Sequence, residues 1–281
     1  MPLSVFFVVT MSSLFQAWWN SHLKKTDADK ASFLMVGWFL FGIIATPISL
    51  FFMETPFSNS WWPFILSTGL AQGFYLLALT KAYTVADISL VFPVARGLSV
   101  ALTAMAIAVI GTTSLSGVGV LGISLVVLGA VSLGSYELRS KDSKKGLFLA
   151  FVLAVLVATY TVIDSLGAQQ IPIVFYVLSM NIAAPVFAFP FLYKGRKKQI
   201  AQVFKNYKLQ GFFVAFAGSF GYLIVIWAYK HAPAPYVVAL REISIVFATL
   251  LGVYVLKEKI YGRKVMGVAL ILAGILIIRL A

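Results

Sequence analysis

Apolar residues run along this chain in blocks of about twenty, the length an α-helix needs to cross the hydrocarbon of a bilayer. Ten blocks follow one another: Pro2 to Leu23, Ala31 to Met53, Trp61 to Tyr83, Ala86 to Gly111, Ser116 to Tyr136, Gly146 to Gln169, Pro172 to Tyr193, Leu209 to Tyr229, Pro233 to Leu256 and Arg263 to Leu280. Several open on proline or close on charge. Only Thr84-Val85 parts the third from the fourth, and only Lys230-His231-Ala232 the eighth from the ninth, so hydropathy alone could fuse either pair. Re-entrant segments are the alternative to paired spans. The pattern predicts an all-α, polytopic membrane protein with ten transmembrane helices.

Two blocks carry a cation in their interior. Val91-Phe92-Pro93-Val94-Ala95-Arg96-Gly97-Leu98-Ser99 places a guanidinium about 15 Å into a helix expected to begin near Ala86. A charge at that depth is a functional candidate by default. The arrangement returns in Val238-Ala239-Leu240-Arg241-Glu242-Ile243-Ser244, where Arg241 and Ser244 each stand 145 residues after Arg96 and Ser99. Gly122 and Gly267 share that interval, as do Gly129 and Gly274, and Ala82-Tyr83 recurs as Ala228-Tyr229 at 146, which requires one residue fewer near Ala95. Glycine is frequent in membrane helices and supplies some chance matches; four registered matches that include an arginine make chance the weaker account. The chain is thus expected to hold a first five-helix repeat at 1–136, a charged linker at 137–145 and a second five-helix repeat at 146–281. Five is odd, so the second repeat enters the membrane from the opposite side. Such inverted repeats place a substrate site near midplane, between the copies.

Composition agrees and narrows the classes. The 281 residues are 61% hydrophobic and 11% charged, with mean hydropathy +0.96, whereas a soluble domain carries about a quarter charged residues. There is no cysteine and only two histidines, His22 and His231, so disulfides and thiolate metal sites are excluded and an imidazole site nearly so. Asp27-Ala28-Asp29, flanked by lysines, reads as a solvated pair of acids before a divalent-metal site; neither metal nor cofactor is expected. The net charge of +13 could suggest nucleic acid, but the basic residues sit in short tracts between apolar blocks, as in cytoplasmic loops, and no nucleic-acid partner is expected. No Lys or Arg precedes the first block, so it is read as a retained helix and not as a secretory signal. The expected surroundings are the lipid bilayer of the cell's inner membrane, with a small-molecule substrate as partner and a monomer enclosing the cavity.

Charge also orients the chain. Lys24, Lys25 and Lys30 follow the first helix, Arg139, Lys141, Lys144 and Lys145 the fifth, Lys194, Arg196, Lys197, Lys198, Lys205 and Lys208 the seventh, and Lys257, Lys259, Arg263 and Lys264 the ninth. The loops after the second, fourth and sixth, such as Glu54 to Ser60, hold no Lys or Arg. The odd-numbered loops are therefore expected in the cytoplasm and both termini outside.

Several residues could carry function. Arg96 and Arg241 offer planar donor forks that match a carboxylate. Their structural alternative is to cap broken-helix carbonyls or to pair with a fixed acid, Glu242 or Asp164, because an unpaired buried charge is too costly at rest. Pro93 removes a backbone donor and should kink or thin the fourth helix beside Arg96, which makes Pro93 with Gly97 a candidate hinge. Asp164 and Glu242 are the acids expected inside spans and candidates for proton exchange; Asp164, about a turn from Gln169, could equally be a solvated interfacial acid. Gln16, Gln72, Tyr75, Asn181, Tyr222 and Trp227 offer polar or aromatic surface for substrate, since polar side chains within spans face protein or a water-filled cavity. Trp18-Trp19 and Trp61-Trp62 read as interfacial belts, and Gly37, Gly42, Gly267 and Gly274 as sites of close helix packing.

Phe92-Pro93-Val94-Ala95-Arg96-Gly97 resembles the aromatic-Pro-x-Ala-Arg-Gly signature of EamA-type transporters in the drug/metabolite transporter superfamily. Leu240-Arg241-Glu242-Ile243-Ser244-Ile245-Val246-Phe247-Ala248, followed by Leu256-Lys257-Glu258-Lys259 and Gly267, resembles that family's second-half signature. The resemblance spans essentially the whole chain. It implies a basket of two inverted five-helix repeats that moves small metabolites or drugs, often outward. The chain departs from the family in having Gly111-Thr112-Thr113-Ser114 where the second half has Glu258, and in loop charges that place the termini outside, not in the cytoplasm.

The expected function is a secondary transporter, exporter or exchanger, of small organic metabolites such as amino acids or drugs, working by alternating access, and not an enzyme. A lipid-modifying membrane enzyme is the first alternative, but there is no Gly-x-Ser-x-Gly, His-Glu-x-x-His or phosphate-binding glycine loop. A channel is the second, without a filter-like sequence or charged ring to favour it.

Overall fold

The computed structural model describes residues 1–85, 88–111, 113–134, 143–247 and 262–281. Most of the linker (137–142) and the end of the second-half signature, with Glu258, lie outside the described residues. Ten helices run through the described chain: α1 (Leu3–Lys25), α2 (Lys30–Phe51), α3 (Trp62–Val85, after a 3₁₀ turn at Asn59–Trp61), α4 (Ile88–Ile110), α5 (Gly117–Gly134), α6 (Ser143–Gly167), α7 (Ile173–Asn206), α8 (Lys208–Ala228), α9 (Ala234–Arg241) and α10 (Gly262–Leu280). Among the described residues six helical stretches are long and apolar enough to cross a membrane: Lys30–Phe51, Asn59–Ala82, Val91–Ile110, Lys144–Gly167, Ile173–Asn206 and Lys208–Ala228. Leu3–Trp19, Gly117–Leu133 and Val265–Leu280 are shorter apolar stretches.

Two helices differ from the sequence pattern. The ninth block was expected to be one span, but α9 ends after eight residues at Arg241; Glu242 turns its N–H back to Ala239 O at 3.1 Å, and helix resumes at 243–247. The seventh was expected to end at Tyr193, but helix continues to Asn206 across a kink at Arg196 (φ −133°, ψ 21°). The segment beyond the kink is amphipathic: Val203 is buried and Ile200 packs beside it, while Lys197, Lys198 and Lys205 stay exposed. Its basic residues therefore decorate a helix, not a loop. Pro93, expected to kink or thin the fourth helix, lies inside α4, which continues through it to Ile110. Pro93 sits in the second turn, so the carbonyl it leaves without an amide donor belongs to the first turn.

Asp29 is the N-cap of α2. It accepts from Ser32 N at 3.0 Å and Ser32 Oγ at 2.7 Å, and it pairs with Arg196 Nε at 3.1 Å, so the start of α2 is tied to the kink of α7. Burial pushes its carboxyl up, but the Ser32 hydrogen bonds and the Arg196 charge outweigh that and hold it below its ordinary value.

The principal packing pairs have an internal symmetry. α2 packs on α7 and α5 on α10; α1 meets α8 as α3 meets α6, α2 meets α8 as α3 meets α7, and α1 meets α9 as α4 meets α6. Exchanging α1–α5 for α6–α10 leaves this set unchanged. The α5–α10 seam repeats the symmetry at residue level. A Cβ on Gly122 would lie 2.8 Å from the Gly274 carbonyl oxygen, and one on Gly129 would lie 2.7 Å from that of Gly267. Each contact maps onto the other under the 145-residue shift, and the two helices run antiparallel. Only glycine lets backbones come this close. Gly37 meets the Gly211 backbone and Gly42 meets Asn181 and Ile182 for the same reason.

Candidate functional site

Every helix except α5 and α10 reaches a central cavity. α1 supplies Ser12, Gln16 and Trp19, α2 Trp38, α3 Gln72 and Tyr75, and α4 Phe92 and Arg96. From the second half come Tyr160 of α6, Val177, Met180 and Asn181 of α7, Gly218, Ser219, Gly221, Tyr222 and Val225 of α8, and Arg241 of α9. The first four helices of each half thus form the wall, and the fifth helices pack against each other outside it.

Both arginines line this hollow, in different states. Arg96 forks onto Glu242, with Nη2 2.7 Å from Oε1 and Nε 3.3 Å from Oε2. The pair joins α4 to the residue that ends α9, and its side chains are only 5% and 0% exposed. Such a pair is secured by geometry, because either member alone would be an uncompensated buried charge. Arg241 precedes Glu242, and neighbouring helical positions point about 100° apart, so its guanidinium faces elsewhere. It lies over the Tyr222 ring, 5.5 Å from the centroid, a cation–π contact. Its Nε and Nη1 are buried without a hydrogen-bond partner.

Beneath Tyr222 sits Asp164, fully buried. The hydroxyls of Tyr222 and Tyr176 both donate to it, the latter at 2.9 Å. Asp164 is therefore not the solvated interfacial acid that its distance from Gln169 allowed; α6 packs on α3 and α4, and two phenols reaching over from α7 and α8 replace water at the carboxylate. Across the cavity Asn181 donates to Ser219 Oγ at 3.0 Å and to Val177 O at 2.9 Å. Gln72 donates to Thr68 Oγ1 at 3.3 Å, and the Tyr75 and Tyr160 rings meet edge to face at 6.0 Å.

Of the side chains expected to face substrate, Arg96, Arg241, Gln16, Gln72, Tyr75, Asn181 and Tyr222 line the cavity. Trp227 does not: it packs on His231, 4.3 Å between ring centroids, at the end of α8. Its position one residue before the helix end carries it past the cavity. Pro93 and Gly97 lie on α4 to either side of Arg96, and Glu242 and Asp164 sit behind the wall, one holding Arg96 and the other Tyr222. Trp19, read as a belt residue, lines the cavity, and Trp61 is buried against Phe57 and Phe175. Tyr160 and Trp38 escaped the sequence reading. Their signal was depth, since a phenol or indole N–H well inside an apolar block must find a polar partner or a wet surface.

The model of the EamA-like transporter family matches residues 144–280. No curated protein matches the chain. A solved crystal structure superposes with TM-score 0.73 at 15% identity, covering 100% of this chain and 99% of the other; that likeness concerns the fold.

Proposed function

We propose that the chain, whose residues 144–280 match the model of the EamA-like transporter family, is a member of the drug/metabolite transporter superfamily and a secondary transporter of small organic metabolites, exporter or exchanger, working by alternating access in the inner membrane. On this reading all ten helices span the bilayer, the basic loops lie in the cytoplasm and the two halves insert oppositely. One observation carries the proposal: a polar, aromatic-lined cavity is walled by the equivalent helices of both halves, while α5 and α10 remain outside it. Rocking of one half against the other would open such a cavity to each side in turn. The broken α9 places a polar backbone turn at the cavity, as discontinuous helices do in carriers.

Counterflow tests this. Proteoliposomes preloaded with unlabelled amino acids and organic acids should take up at least one labelled member of the panel saturably, and faster than empty vesicles. Non-saturating, ohmic permeation would make the protein a channel, and chemical conversion of the solute would make it an enzyme.

A further inference from the structure

Exchanging the halves maps Arg96 onto Arg241, but it maps Glu242 onto Gly97. The acid exists in one copy. Arg96 takes it from the opposite half, so the symmetric partner of Arg241 would have to come from position 97. That position has no room for a side chain, since a Cβ there would lie 2.8 Å from Ala130 Cβ and 3.3 Å from Val127 O of α5. Among the described residues Arg241 makes no hydrogen bond and no ion pair; Asp164 is turned to Tyr176 and Tyr222, and Glu242 to Arg96. Arg241 is nonetheless only 8% exposed, and the surface it shows lies on the cavity.

We propose that the duplicated arginines have divided their work: Arg241 is the cavity's receptor for the carboxylate of an organic anion or zwitterion, and Arg96 is committed to Glu242 as the clasp between the halves and receives no ligand. The inference rests on the transporter reading only in taking the cavity to be the solute site. A buried guanidinium with open donors in a low-dielectric pocket favours a planar, two-oxygen anion over a neutral isostere. The face of Tyr222 under the guanidinium holds the fork in place for it.

Titration calorimetry of the full chain in detergent, with benzoate and its neutral isostere benzamide, tests the assignment. The wild-type protein should prefer benzoate by at least about tenfold. Arg241→Gln should lower benzoate affinity by about thirtyfold or more while leaving benzamide affinity and the unfolding temperature near wild type, and Arg241→Lys should retain part of the preference. The double variant Arg96→Gln/Glu242→Gln should bind benzoate within about threefold of wild type. The proposal is overturned if the wild type has no preference, if Arg241→Gln keeps it, or if the double variant loses it as fully as Arg241→Gln. Failure of counterflow with the preference intact would sink the carrier reading and leave the receptor assignment standing; working counterflow without an Arg241-dependent preference would do the reverse.

Discussion

Replacing Arg96 alone by Gln destabilises the protein by about 3–5 kcal/mol, the cost typical of leaving a buried ion without its partner. Replacing Glu242 alone costs less. The reason is position: Glu242 is wholly enclosed, whereas Arg96 touches the cavity and, once released, can turn toward water or a solute. Replacing both by Gln removes both desolvation penalties and keeps a neutral hydrogen bond possible between α4 and the end of α9, so the double variant is more stable than Arg96→Gln. Thermal unfolding of the four proteins in detergent completes a double-mutant cycle. A coupling of several kcal/mol is expected; additive single effects would show that the 2.7 Å contact contributes little to assembly.

The second large effect lies at the α5–α10 seam. A methyl at Gly122 would sit 2.6 Å from Ile278 Cγ1 and 2.8 Å from Gly274 O, and one at Gly129 would meet Gly267 O at 2.7 Å. Backbone cannot step aside as a side chain can, so Gly122→Ala, Gly129→Ala and Gly274→Ala should each cost roughly 1–3 kcal/mol, as overpacking does. Gly267→Ala should be milder, because it meets the side chains of Leu133 and Ser132. Gly117→Ala, with nothing within 4 Å, should be neutral. Unfolding temperatures in detergent give the order. If Gly117→Ala is as damaging as Gly122→Ala, the close seam does not account for the losses, since helix propensity by itself favours alanine at both positions.

The seam was largely legible in the sequence, because the 145-residue interval between glycines needs no tertiary information and close packing is what glycine in a membrane helix usually serves. The two arginines were legible for a similar reason: charge inside an apolar block stands out. Which of them was paired was not. Arg241 and Glu242 are adjacent in sequence, and only the end of α9 between them sends one to the cavity and the other across it to Arg96. Asp164 shows the same limit, since its depth depends on Tyr176 and Tyr222 arriving from α7 and α8. Trp227 and Trp19 are similar residues to a hydropathy pattern; helix register alone puts one past the cavity and the other on its wall.

The claim on which the account turns is that one cavity is reached from both sides of the membrane in alternation. The chain has no cysteine, so Gln16→Cys on the cavity wall would be its sole thiol, with Ser58→Cys and Lys198→Cys as outer and cytoplasmic references. Rates of modification by an impermeant maleimide, measured in right-side-out and inverted vesicles, give the answer. The account predicts that the thiol at position 16 reacts in both preparations, the thiol at 58 only in right-side-out vesicles and the thiol at 198 only in inverted ones. A thiol at 16 that reacts from one face alone, or from neither, would contradict it.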